Sequence, residues 1–190
     1  MGGSMTDVLS GTVHEYLESL GASSAVPGGG SAAALAAAMG VALVSMVARI
    51  SARKAADEKD RAHLLGLVPE LDDLRGRLGR LSQDDIDAYQ AVIDARKRKA
   101  APDVLARAYA RAAEVPLETA MAGDRALDLF SETSRLAWEM TRSDLEAGKA
   151  LLEVGVRAAL ANVAVNLPDL QGEARLRIER SYADLAARRG

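Results

Sequence analysis

Four stretches of this chain hold the residue types from which a reaction could be built. Pro27-Gly28-Gly29-Gly30-Ser31 places three glycines just ahead of an alanine-rich helical segment. Glycine lets backbone come close to a ligand, and the free N–H groups of a helix start favour an anion. A tight turn between two helices asks for the same residues, and no Gly-Lys-Ser/Thr follows, so this is not a P-loop. The second stretch, Asp84-Asp85-Ile86-Asp87-Ala88-Tyr89, offers carboxylates; with Ser82, Asp85 forms a possible capping box, or it is an acid/base group. Arg142-Ser143-Asp144-Leu145-Glu146 poses the same choice, since Ser143 and Glu146 also fit a capping box. In the fourth, Asn162 and Asn166 lie four apart in an apolar run and share one helical face. A buried amide without a partner costs about 1–3 kcal/mol, so the pair either crosses to another helix or reads a polar ligand.

Composition removes several other chemistries. The 190 residues contain no cysteine, which excludes disulfides, thiolate nucleophiles and cysteine-bound metal. The two histidines, His14 and His63, do not make an HExxH pair, so no catalytic zinc or other metal site is expected. A net charge of −3 gives no reason to expect nucleic acid, and one Trp, four Tyr and one Phe leave few stacking platforms for it. Ala22 to Ala48 carries no charge and approaches the length of a membrane span, but alanine, glycine and serine dominate it. A core helix packed on all sides has that composition, and with no secretory signal pattern the expected location is the cytoplasm.

The elements that must position these residues are helical almost throughout. Thr12 and Glu15 open a short helix that Gly21 stops, and residues 26–30 are expected as loop, with Ser31 capping the next helix. Leu64, Leu67, Leu71, Leu74 and Leu78 recur at helical spacing up to about Arg80, and a new helix is expected from the Ser82–Asp85 cap. Asp103 to about Trp138 is helical, with Pro116 kinking or dividing it; Ser143 starts another helix to Asn166, and a last one spans Gly172 to Ala187. No stretch alternates as a strand. The expected architecture is one all-α bundle over residues 5–190, Met1-Gly2-Gly3-Ser4 reading as an expression remnant.

Taken in order, several of these pieces resemble one family. They are Val26-Pro27-Gly28-Gly29-Gly30-Ser31, the Met46 to Ile50 run with Arg53–Lys54, Asp85-x-x-Ala88-Tyr89, Val115-Pro116-Leu117, Arg142-Ser143-Asp144-Leu145, and Asn162 to Leu167. Together the chain is similar to the cyclodeaminase domain of formimidoyltransferase-cyclodeaminase and to bacterial methenyltetrahydrofolate cyclohydrolases. The resemblance implies an all-helical homodimer that acts on the one-carbon bridge of tetrahydrofolate, with the folate as substrate and no other cofactor. It implies that Asp85 is the acid/base residue, with Asp144 as a second catalytic carboxylate. Pro27, Gly28, Gly29, Gly30, Ser31, Lys54, Ser143, Asn162 and Asn166 would bind substrate, Lys54 and the glycine loop meeting its anionic glutamyl end. The chain holds no formimidoyltransferase segment, which favours cyclohydrolase over cyclodeaminase. A diverged activity on another folate or cyclic amidine is the first alternative, and a noncatalytic folate-binding or scaffold dimer the second. Two departures concern the pocket. Ala95-Arg96-Lys97-Arg98-Lys99 stands where the family usually has Leu-Pro-Lys, and Ala137-Trp138 where it tends to have Gly-Asn.

Overall fold

Helical spacing of apolar residues without strand alternation dictates a bundle, and the computed structural model, which describes residues 8–189, is one. Its helices are α1 (Val13–Gly21), α2 (Gly29–Lys54), α3 (Glu58–Lys97), α4 (Pro102–Arg135), α5 (Arg142–Asn166) and α6 (Gly172–Arg189). Single 3₁₀ turns at Glu139–Thr141 and Leu167–Asp169 flank α5. No described residue lies in a strand. The expected remnant at residues 1–4 lies outside the described residues.

α2 is the axis of the fold, packed between α3 and α5 with α4 behind it. Its alanines and glycines make that possible. A Cβ on Gly40 would sit 2.7 Å from the Gly148 carbonyl oxygen, and one on Gly155 would meet Ala37 Cβ at 2.8 Å and the Ala33 carbonyl oxygen at 2.9 Å. α5 therefore runs antiparallel to α2 with backbone nearly touching backbone, and this register brings Asn162 opposite Gly29. Larger side chains fill the remaining core: Leu64, Leu71 and Leu78 from α3, Leu129 from α4, and Leu152 from α5 are fully buried.

The Thr12–Glu15 capping box forms as expected, Thr12 Oγ1 accepting from the Glu15 N–H at 3.1 Å and Glu15 Oε2 from the Thr12 N–H at 2.7 Å. Other boundaries differ from the sequence-based expectation. α2 begins at Gly29 with Gly28 as N-cap, so two of the three glycines are helical and Ser31 caps nothing. α3 is one helix of 40 residues, which places Ser82 and Asp85 in its interior, where neither can cap it. Its apolar face continues unbroken through Leu78, Leu81, Ile86 and Val92, and this packing outweighs the local cap signal. Ser143 is likewise inside α5, whose N-cap is Thr141. Pro116 does not divide α4, which runs through it.

Two segments, Gly29–Lys54 and Glu139–Asp169, are long and apolar enough to cross a membrane by length and composition alone. In α2, 56% of the apolar window is buried inside the protein, as a core helix requires.

Candidate active site

Where α2 begins, α3, α4 and α5 bring their residues around its N-terminus. The cleft there, of about 190 Å³, is lined by Gly28, Gly29 and Gly30, by Asp85 and Tyr89 from α3, Ala112 from α4, and Asn162, Val165 and Asn166 from α5. The sequence-predicted glycine loop, carboxylate and amide pair thus meet in one place, with Pro27 buried beneath the loop.

Asp85 faces Gly30 so closely that any Cβ at that position would overlap its carboxylate, Oδ1 nearest. Here the absence of a side chain is a steric requirement. The Ser31 backbone N–H lies near the same carboxylate and favours its charged form. Gly28 has no side chain with which to cap α2, and the Asp85 carboxylate, from a different helix, stands beside the free N–H groups of its first turn. Burial raises the Asp85 pKa, and the Ser31 N–H bond opposes that rise only in part. A carboxylate raised in this way holds a proton more readily than a solvated one, as an acid/base group requires.

The amides are fixed by their own donors. Asn162 Nδ2 donates to the Ala158 carbonyl at 2.8 Å, and Asn166 Nδ2 to the carbonyls of Asn162 at 2.9 Å and Ala112 at 3.1 Å. Asn166 has both its N–H groups engaged and Asn162 one, so the pair offers a ligand two side-chain oxygens and one Asn162 N–H. The Ala112 carbonyl is free to accept because the residue four positions on is Pro116, which has no N–H to return to it. Sequence reasoning missed Ala112; its signal was the proline, counted back one turn. Pro116→Ala is expected to restore the helix bond and draw the carbonyl away from Asn166. Thermal denaturation should show equal or greater stability, since proline within a helix costs about 3 kcal/mol. Calorimetry with a reduced folate, the ligand the resemblance implies, should show affinity about 3- to 10-fold weaker, from the loss of one hydrogen bond.

A larger hollow, of about 620 Å³, lies between α1 and α3 on the other side of the glycine loop. Its carboxylates are occupied, Glu15 in the capping box of α1 with Thr12 and Asp87 by Gln83, so the chemistry favours the smaller cleft. Among the described residues no group of three His, Asp or Glu side chains converges as metal ligands would.

A family model described as formiminotransferase-cyclodeaminase matches residues 12–181, nearly the whole described chain. The chain belongs to this family. Methenyltetrahydrofolate cyclohydrolase of Methylorubrum extorquens is 32% identical over 173 residues, covering 86% of this chain and 82% of that protein. Formimidoyltransferase-cyclodeaminase of Rattus norvegicus is 31% identical, covering 86% of this chain but only 32% of its own length, so against that relative the chain matches a part. A crystal structure of formiminotetrahydrofolate cyclodeaminase from Thermotoga maritima superposes with a TM-score of 0.88 at 22% identity, over 95% of this chain and 90% of that one. That likeness bears out the all-α fold.

Membership does not bring every expected residue into the cleft. From Gly30 to Lys54 along α2 is about 36 Å, and from Asn162 back to Asp144 along α5 about 27 Å, at 1.5 Å per residue. Lys54, Ser143 and Asp144 therefore stand at the opposite end of the molecule from Asp85. There the Lys54 ammonium lies over the Trp138 ring, 5.1 Å from its centroid, and the Trp138 backbone N–H donates to Ser51 Oγ at 2.8 Å. Ser31 is fully buried behind Gly30 and does not line the cleft.

Proposed function

We propose that this family member is an enzyme that hydrolyses 5,10-methenyltetrahydrofolate to 10-formyltetrahydrofolate, with Asp85 as acid and base. The observation that carries the reading is a half-buried carboxylate held against Gly30 and facing the same cleft as Asn162 and Asn166. The methenyl carbon, bonded to N5 and N10, is already a cationic amidinium-like electrophile, so attack by water calls for a base. Asp85 accepts one water proton as oxygen bonds to that carbon and returns it to N5 as the carbon–N5 bond breaks, while the carbinol hydroxyl gives up the second proton to solvent as the formyl C=O forms. The substrate's positive charge leaves as that released proton, and the formyl group stays on N10. The side-chain oxygens of Asn162 and Asn166 complement the amine and lactam N–H groups of the pterin.

A volume of about 190 Å³ is below the roughly 300–1,000 Å³ of small-molecule sites, so the cleft would take the pterin end of the folate. The aminobenzoyl-glutamate would extend outside it. The test is decay of methenyltetrahydrofolate absorbance with purified protein, against buffer and Asp85→Asn; a rate equal to buffer rejects the reading. Expulsion of ammonia from 5-formimidoyltetrahydrofolate is the second reading, favoured by the relatives named cyclodeaminase. Release of ammonia from that substrate tests it.

The same proposal includes a cytoplasmic homodimer. On the side of α2 away from α4, Leu35, Met39, Leu43, Met46 and Ile50 form an uncharged stripe, with Met39 55% exposed and Met46 36%. A second copy suits it: paired antiparallel about the middle of α2, each stripe faces its equal, and the cationic Arg53–Lys54 end of one copy approaches the Asp85 end of the other. In that arrangement Lys54, Ser143 and Asp144 act, if they act on the ligand, on the partner's substrate. Sedimentation should give twice the chain mass, and Met39→Glu with Met46→Glu should give the monomer; a monomeric parent protein rejects the dimer.

A further inference from the structure

We infer that Tyr16 and Ser82 are positioning residues for Asp85, acting through Ser31. This inference deepens the proposed role of Asp85 and rests on it only for the readout in turnover.

Ser31 sits in the first turn of α2 and is held from two sides. Its backbone N–H meets the Asp85 carboxylate, while its hydroxyl is bonded to Ser82 Oγ at 2.7 Å and to the Tyr16 hydroxyl at 3.0 Å. Ser31 and Ser82 are both fully buried. Ser82 lies three residues before Asp85 on the same helix, so one turn of α3 grips Ser31 by the side chain and the next meets it by the backbone. The direction of the Ser31 N–H is thereby set by three hydroxyls, none of which needs to touch substrate.

Tyr16 brings a third element into this arrangement. α1 buries none of its residues, and Val13 and Leu17 on it are 78% and 57% exposed, so packing does little to fix it. Its Tyr16 hydroxyl nevertheless reaches into the bundle to end the chain of hydroxyls. Burial raises the Tyr16 pKa, which keeps that hydroxyl neutral and able to donate. A helix with so little buried area gains a functional contact at one atom, and the geometry assigns that contact to the alignment of the Asp85 acceptor.

The other groups around Asp85 leave this role open. Tyr89 lines the cleft from the same helix, and Asp84 next to Asp85 is paired with Arg111 of α4 at 2.8 Å. Neither α2 nor α5 presents a charged side chain to the cleft, so the Ser31 N–H is the principal partner that stabilises the ionised carboxylate.

The test uses the full-length protein with ¹³C-labelled aspartate, the Asp85 resonance being assigned by its loss in Asp85→Asn. Tyr16→Phe removes one hydroxyl at a half-buried position, and Ser82→Ala removes the other with little change of volume. In each, the Asp85 carboxyl is expected to titrate about half a unit to one unit higher, because a freed Ser31 donates a poorer bond to the charged form. Turnover of methenyltetrahydrofolate should fall about 3- to 10-fold in kcat with little change in KM, and the acid limb of the pH–rate profile should move up with the carboxyl. The double variant should show less than the product of the two effects, since both act through Ser31. An Asp85 titration that stays at its parent value in both folded variants overturns the inference, even where turnover falls. An inactive parent protein with a shifted titration supports the positioning role and rejects the proposed reaction instead.

Discussion

Asp85→Asn is expected to lower turnover of methenyltetrahydrofolate by about 10²- to 10⁴-fold, the usual range for removing a positioned acid/base group. Asparagine is close to isosteric and can still accept from the Ser31 N–H, so the start of α2 keeps its cap. Stability should move the other way. The folded-state pKa of Asp85 is raised, so the ionised carboxylate costs the fold free energy, and the cost appears as pH climbs through that raised value. The variant carries no charge to bury. It should therefore be at least as stable as the parent at neutral pH, with the difference closing below the ordinary carboxylate range. Denaturant unfolding at both pH values, beside the absorbance assay, gives the check. Loss of activity accompanied by loss of structure would instead make Asp85 a structural residue.

Gly30→Ala should be nearly as damaging to activity. A methyl group there overlaps the Asp85 carboxylate. The atoms it meets are the end of a side chain, which can rotate away, whereas at Gly155 they include backbone that cannot. Alanine is also a better helix former than glycine, and Gly30 lies in the first turn of α2. The expected result is a melting temperature within about 4 °C of the parent, equivalent to roughly 1 kcal/mol for a chain of this size. Turnover should drop about 100-fold, the effect of moving a catalytic group by an ångström. Equal turnover in this variant would show that Asp85 need not be where it is.

Much of this was legible in the residues. The Thr12–Glu15 box, the charge-free run that became α2, the 3.6-residue spacing of leucines in α3, and the amide pair all carry local signals that the fold keeps. What escaped depends on partners distant in the chain. Ser82 and Asp85 spell a cap in one dimension, but the apolar face of α3 runs past them, and their polar groups turn to the start of α2 instead. The glycines look too flexible for helix until a carboxylate from α3 completes the first turn. Tyr16 lies in a segment with no buried residue, and nothing in its neighbourhood of sequence announces a bond to Ser31. Lys54, Ser143 and Asp144 have suitable chemistry, yet rigid helices carry them to the far end; spacing along a sequence gives no hint of that direction.

The backbone contact between α2 and α5 also bears on when the protein becomes competent during folding. Helical content can form locally, and α3 can dock on α2 across a short connection. Gly40 and Gly148, by contrast, lie far apart in the chain, and closing that loop costs entropy before any packing repays it. Asn162 and Asn166 arrive only with α5, so the carboxylate is in place on a helix before the amides that complete its cleft. A nascent or refolding chain should thus acquire its helices first and its ligand site last.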